Sequence, residues 1–72
     1  MTMARESTST LAYVATTTDE DGVVVILPWS TESLAKDVRR NIAEMFDDDL
    51  VAGWGAAKKA GYRVRRCTIT LD

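Results

Sequence analysis

Two segments near the start of the chain have the apolar patterns of β-strands. Between Thr10 and Thr18 successive residues alternate with a period of two, and they include the β-branched and aromatic residues that strands favour. Residues Val23 to Leu27 are apolar at every position, and Pro28, which lacks a backbone donor, follows them. The pattern predicts a second strand that is the best buried of the sheet and ends at the proline.

The segment Asp19-Glu20-Asp21-Gly22 separates the two predicted strands and predicts a hairpin connection. Gly22 supplies the positive φ that such connections require. Its acids lack the spaced oxygen ligands of a calcium loop, since apolar residues follow. We therefore interpret this segment as a solvated turn.

The middle of the chain has helical periodicity. Leu34, Val38, Ile42 and Met45 recur at spacings of four, four and three residues, which predicts an amphipathic helix. Its predicted N-cap is Ser30 or Thr31.

A single helix over 31–60 would measure about 45 Å and overhang strands of about 30 Å. The weak helix formers Asp47-Asp48-Asp49 break it, and any of the three can cap a new helix, so the sequence predicts two helices, at about 31–46 and 49–60. Leu50, Trp54 and Ala57 are expected to form the inner face of the second helix. Gly53 and Gly55 are expected to weaken that helix, and Gly61 is its expected C-terminal cap.

A third strand is predicted over 62–71, but its apolar phase slips at Arg65-Arg66, where we expect a β-bulge. The predicted fold class is α+β, in the order β-β-α-α-β. A three-stranded, mostly antiparallel sheet carries both helices on one face. Two antiparallel helices would make the third strand run antiparallel to the second, which is the arrangement we favour. If the break is only a kink, the third strand would run parallel to the second instead. Residues 10–72 form the predicted domain, and residues 1–9 a flexible N-terminal segment.

Composition argues against an enzyme, a metal site and a cofactor. The chain of 72 residues contains no histidine, so it lacks the usual proton shuttle. Its single cysteine, Cys67, can form no disulfide within the chain and falls on the expected core face of the third strand. No signal peptide or membrane-spanning run is visible, and the expected location is the cytoplasm, without membrane association.

Charge is distributed unevenly along the chain, although the net charge is only −2. Acids dominate between Asp19 and Asp49, and every charged residue from Leu50 to Leu71 is basic. The two segments either neutralise each other or form separate binding faces. The candidate protein-binding residues are Glu44, Asp47, Asp48, Asp49 and the aromatic Trp29. The alternative candidates, for nucleic acid, are Lys58, Lys59, Arg63, Arg65 and Arg66.

The leading hypothesis is a small non-enzymatic binding protein. Its size and missing catalytic groups suggest a phage or mobile-element accessory protein that evades host defence. It would inhibit a host protein or complex, such as a defence nuclease, by stoichiometric occlusion through its acidic surface. The alternative is a small nucleic-acid-binding accessory protein that uses the basic last strand, although its acidic balance argues against this. A homodimer formed through a sheet edge is a third possibility.

Overall fold

The computed structural model describes residues 8–71 as one sheet with two helices. The elements are β1 (Ser9–Thr18), β2 (Val24–Glu32), α1 (Ala35–Glu44), α2 (Leu50–Lys59) and β3 (Arg63–Thr70). The predicted α+β class and its β-β-α-α-β order are confirmed. Most of the predicted flexible segment, residues 1–7, lies outside the described residues, whereas Ser9 already belongs to β1.

The strand order is β2-β1-β3, with β1 antiparallel to both neighbours. The third strand therefore runs in the same direction as the second, and the predicted antiparallel relation between them is wrong. The best-buried strand is β1, where Ala12, Val14 and Ala15 are buried, and not β2 as predicted. A central strand is covered by neighbours at both edges, whereas β2 has a neighbour at one edge only.

The predicted bulge at Arg65-Arg66 does not occur. The register of β3 on β1 is continuous from Ser9 opposite Thr70 to Thr16 opposite Arg63. Because side chains alternate between faces, Val64 lies with Ala15 on the helix-covered face. Cys67 lies opposite Ala12 on the other face, so its expected place on the core face is also wrong. The apolar residues before Arg65-Arg66 and those after it therefore lie on opposite faces of the sheet.

A wide bulge lies in β2 instead. Ala15 pairs with Leu27 and Tyr13 pairs with Glu32, so four residues of β2 face the single residue Val14. The strand therefore continues past Pro28, contrary to the prediction, because the proline lies within the bulge, where no ladder bond is required.

Ser30 closes this bulge and is not a helix cap as predicted. Its side-chain oxygen accepts a hydrogen bond from the Ala15 N–H (2.8 Å), and its hydroxyl donates to the Leu27 carbonyl (2.6 Å). The other predicted cap, Thr31, donates to the Pro28 carbonyl (2.7 Å). Helix α1 begins later than predicted, after Leu34, with no side-chain hydrogen bond at its N-cap. The hydroxyls of Ser30 and Thr31 make hydrogen bonds within the bulge of β2 and so do not cap the helix.

The turn residues behave as their chemistry predicts. The Asp19 carboxylate accepts the backbone N–H groups of Asp21 and Val23, both at 2.9 Å. Gly22 has φ +82° and Gly61, after α2, has φ +97°. Asp49 is the N-cap of α2 and accepts from Val51 N–H at 2.9 Å. The predicted hairpin connection, helix break and C-terminal glycine are confirmed.

The core lies between the helices and one face of the sheet. Its buried centre consists of Ala15, Val38, Ile42 and Ala57. Partly buried side chains surround this centre: Tyr13, Leu27, Trp54, Tyr62 and Val64. Because Ile42 and Val38 are the largest fully buried apolar side chains, the core is small.

Helix α2 packs on α1 through Gly53, which sequence reasoning treated only as a weak helix former. A Cβ atom at Gly53 would overlap the Ala43 carbonyl oxygen and lie 2.9 Å from the carbonyl carbon. A Cβ atom built on Gly55, two residues later, would lie in open space. Leu50, expected on the inner face, is 42% exposed, because Gly53 takes the position of closest approach. Glycine at 53 is therefore required for the helix contact.

Candidate binding surfaces

The acidic turn, which we define as Glu44 and Asp47 to Asp49, connects α1 to α2, and its residues are exposed. The Asp47 carboxylate accepts the Asp49 N–H at 2.9 Å. The Asp49 carboxylate accepts the N–H groups of Val51 (2.9 Å) and Ala52 (3.3 Å). Two of the acids therefore shape the turn and cap α2 while their charge remains at the surface.

Trp29 lies apart from the acidic turn. It belongs to the bulge of β2, before α1, and is 61% exposed. The four acids follow at the other end of α1, a helix of about 15 Å. The predicted protein-binding residues thus form two surfaces separated by one helix.

The alternative basic residues are also divided. Lys58 and Lys59 are in the last turn of α2. The Arg63 guanidinium donates to the carbonyls of Lys58 (2.9 Å) and Tyr62 (2.7 Å), which satisfies acceptors at the C-terminal end of that helix. Arg65 and Arg66 are adjacent in β3, so strand alternation sends them to opposite faces. The last strand does not present its three arginines on one surface.

A groove between α1 and α2 brings together basic residues that sequence reasoning did not combine. Its volume is about 490 Å³. Lys36, Arg39 and Arg40 of α1 and Lys58 of α2 line it. Apolar lining comes from Ala43, Leu50, Val51 and Trp54. We call this the helix groove.

The sequence contained part of this signal. Lys36, Arg39 and Arg40 recur at helical spacing and therefore share a face of α1. That face lies opposite the apolar stripe of the helix, where charged side chains are ordinarily solvated. Helix α2 borders this face of α1 because the two helices pack closely at Gly53. A periodic pattern within one helix does not determine how a second helix packs against it.

The second apolar surface is the edge strand β2. Four of its large apolar side chains are exposed, and we define them as the β2 edge patch: Val24, Val25, Ile26 and Trp29. Strand alternation places Val24 and Ile26 on one face of this edge and Val25 on the other. The Asp19 N–H donates to the Val23 carbonyl at 2.9 Å, so residues 23, 25 and 27 direct their backbone groups toward β1. By alternation, the N–H and C=O groups of Val24 and Ile26 point away from the sheet.

Cys67 is a free, half-exposed thiol. The described residues contain no group of three or more metal-binding side chains. Across the same residues, neither helix is long and apolar enough to cross a membrane.

Comparisons of this chain with protein-family models, with curated proteins and with solved structures find no match. Its function must therefore be inferred from its own surfaces.

Proposed function

We propose that the protein is a non-enzymatic binding protein that occupies a surface of a partner protein in a stoichiometric complex. The observation that carries this proposal is the exposure of the β2 edge patch. Ile26 is 62% exposed and Trp29 61% exposed, on a strand whose outer backbone groups are unpaired within the sheet. Exposed apolar clusters of this kind mark interaction sites, and tryptophan is enriched among residues that dominate binding energy.

The two sheet edges differ in a way that supports this assignment. Soluble proteins protect edge strands with charged residues, prolines or bulges. Strand β3 contains Arg63, Arg65 and Arg66, whereas the stretch from Val23 to Leu27 contains no charge. Pro28 and the bulge interrupt only the second half of β2. A partner strand can therefore add to the first half, with the backbone groups of Val24 and Ile26 as its hydrogen-bonding partners.

The acidic turn supplies the electrostatic part of the proposal. Its four carboxylates lie within six residues and remain exposed, so they attract a basic partner surface and increase the rate of encounter. In its most specific form, the partner is a host defence nuclease complex and the protein is an inhibitor from a phage or mobile element. The basic, nucleic-acid-binding surface of such a complex complements the acidic turn.

Capture by immobilised protein tests the proposal. A lysate of the native host is passed over the wild type, over Ile26→Lys and over Thr70→Lys, which adds the same charge at an exposed position of β3. We expect a partner to be retained by the wild type and by Thr70→Lys but lost by Ile26→Lys. Equal retention by all three would exclude the β2 edge patch.

The acidic contribution is tested separately by replacing Asp47, Asp48 and Asp49 with serine. Serine also caps helices, so α2 keeps its N-terminus while three charges are removed. We expect the variant to bind the captured partner more slowly and with weaker dependence on salt. An unchanged association rate would remove the acidic turn from the proposal.

Nucleic-acid binding is the second candidate function, and one observation favours it. The helix groove gathers four basic side chains beside Trp54, and phosphate contacts with aromatic stacking are typical of single-strand binding. Retention on a DNA filter at low salt, with a steep loss as salt rises, would support it. Absence of retention at low salt would exclude it.

A further inference from the structure

We propose that the helix groove binds an acidic amphipathic helix of a protein partner. This surface differs from the acidic turn and from the β2 edge patch. The inference goes beyond the proposed function, and it holds whether or not those two surfaces bind a partner.

The fold forms the groove by letting the two helices touch closely at one point. Gly53 lies against the Ala43 carbonyl, and the groove opens beside this contact, with Ala43 and Trp54 in its lining. Val51 projects into solvent with 85% of its surface exposed, and Leu50 is 42% exposed. Trp54 lies between the groove and the buried core cluster, against which it packs. Leu50, Val51 and Trp54 therefore give the groove an apolar lining from α2 that is about one and a half helical turns long, and we call this lining its floor.

The flanks of the groove are positively charged. Lys36, Arg39 and Arg40 line one side and Lys58 lines the other, and none of the nine lining residues is acidic. Asp37 pairs with Arg40 at 3.2 Å, which offsets one of the four charges. Among residues 8–71 the other three cations have no ion pair, and they flank an apolar floor in a chain with a net charge of −2. By charge complementarity the occupant is anionic.

The floor decides which kind of anionic occupant fits best. An amphipathic helix places apolar side chains at intervals of three and four residues along one face, with its acids on the flanks of that face. Such a helix covers Leu50 and Val51 while its carboxylates meet the cations on both sides. A nucleic acid would use the cations and could stack one base on Trp54, but the aliphatic side chains of Leu50 and Val51 offer its other bases no stacking surface. The helix is therefore the occupant that uses both features of the groove.

A fluorescence titration tests the proposal in the groove itself. The chain has two tryptophans, so Trp29→Phe leaves Trp54 as the single tryptophan reporter. The probe is a synthetic peptide of about 14 residues, close to four helical turns, with leucine at helical spacing and glutamate on both flanks. We expect a saturable change in Trp54 emission. The same peptide with lysine in place of glutamate, and an acidic peptide of scrambled order, should produce none.

Two adjacent lysines provide matched variants. Lys58→Glu and Lys59→Glu alter the net charge and the last turn of α2 equally, but only Lys58 lines the groove. In the Trp29→Phe background, we expect Lys58→Glu to weaken peptide binding about fivefold or more at low salt, and Lys59→Glu by less than twofold.

Any of four results would overturn the proposal. The first is equal binding of the lysine and glutamate peptides, and the second is equal weakening by the two lysine variants. The third is a Trp54 response to a single-stranded oligonucleotide or to phosphatidylserine vesicles, with none to the acidic peptide. A silent Trp54 together with intact partner capture through Ile26 would refute the groove and leave the proposed function standing.

Discussion

The contact between Gly53 and Ala43 gives a quantitative test of how the helices pack. In Gly53→Ala, the new methyl group would overlap a backbone carbonyl, which cannot rotate away as a side chain can. In Gly55→Ala, the methyl group enters open space in the same helix. The two variants make the same chemical change two residues apart, so the difference between them isolates the packing contact.

Helix propensity and overpacking change the free energy of unfolding in opposite directions. Replacing glycine by alanine inside a helix stabilises it by about 1 kcal/mol when nothing obstructs the methyl group. Overpacking costs about 1–3 kcal/mol, and a rigid backbone neighbour places Gly53→Ala at the upper end. We expect Gly53→Ala to lower the free energy of unfolding by about 2 kcal/mol, and Gly55→Ala to raise it by about 0.5–1 kcal/mol. A domain of this size has a stability of roughly 4–11 kcal/mol, so the effect is large.

Urea denaturation followed by far-ultraviolet circular dichroism measures both changes. Each kcal/mol corresponds to about 4–8 °C in a domain of this length, so thermal unfolding should separate the variants by more than about 10 °C. If Gly53→Ala proves as stable as Gly55→Ala, the close approach of the two helices is wrong. The geometry of the helix groove would then be wrong as well.

Three further substitutions test other parts of the structure. Ser30→Ala leaves the buried Ala15 N–H without its acceptor and should lower the free energy of unfolding by about 1–3 kcal/mol in urea denaturation. Thr31→Ala removes a more exposed hydroxyl and should cost less than half as much. Equal costs would contradict the role of Ser30 as the link between Ala15 and Leu27 across the bulge. Asp49→Ala should destabilise by about 1 kcal/mol through loss of the α2 cap, whereas Asp48→Ala should stay within about 0.5 kcal/mol in the same thermal melt. Ile26→Lys should leave the unfolding free energy within about 0.5 kcal/mol, since the side chain is exposed, and a larger loss would mean that it belongs to the core.

The sequence correctly predicted the turns and the helix cap that a few neighbouring residues determine. Gly22 and Gly61 were expected at positive φ, and Asp49 was among the residues expected to cap a new helix. Each of these features is determined by a few neighbouring residues. The order of the elements also followed from apolar periodicity.

The errors concern relations between distant segments. Val23 to Leu27 is apolar at every position, which suggested the best-buried strand, but pairing placed β2 at the edge of the sheet. Ser30 has the residue type of a cap, yet its partners are Ala15, fifteen residues earlier, and the nearby Leu27. No local pattern contains the register shift that brings Ser30 to that position.

The candidate surfaces show the same division. Trp29 and the acids of the inter-helix turn were named as candidate binding residues from their type and position, and the structure exposes them. The helix groove was not expected, because it depends on how two helices pack against each other. The apolar stretch of β2 changes meaning for the same reason: on an edge strand it becomes a surface available to a partner.

The central claim is that the protein acts by occupying its partner and performs no turnover. Its most direct test is a titration of the captured partner's activity with increasing amounts of the purified protein. We predict that activity falls in proportion to the protein added and reaches its minimum at a fixed stoichiometric ratio, and that Ile26→Lys fails to inhibit. Complete inhibition by a small fraction of one equivalent would contradict the claim, because it would require the protein to act catalytically.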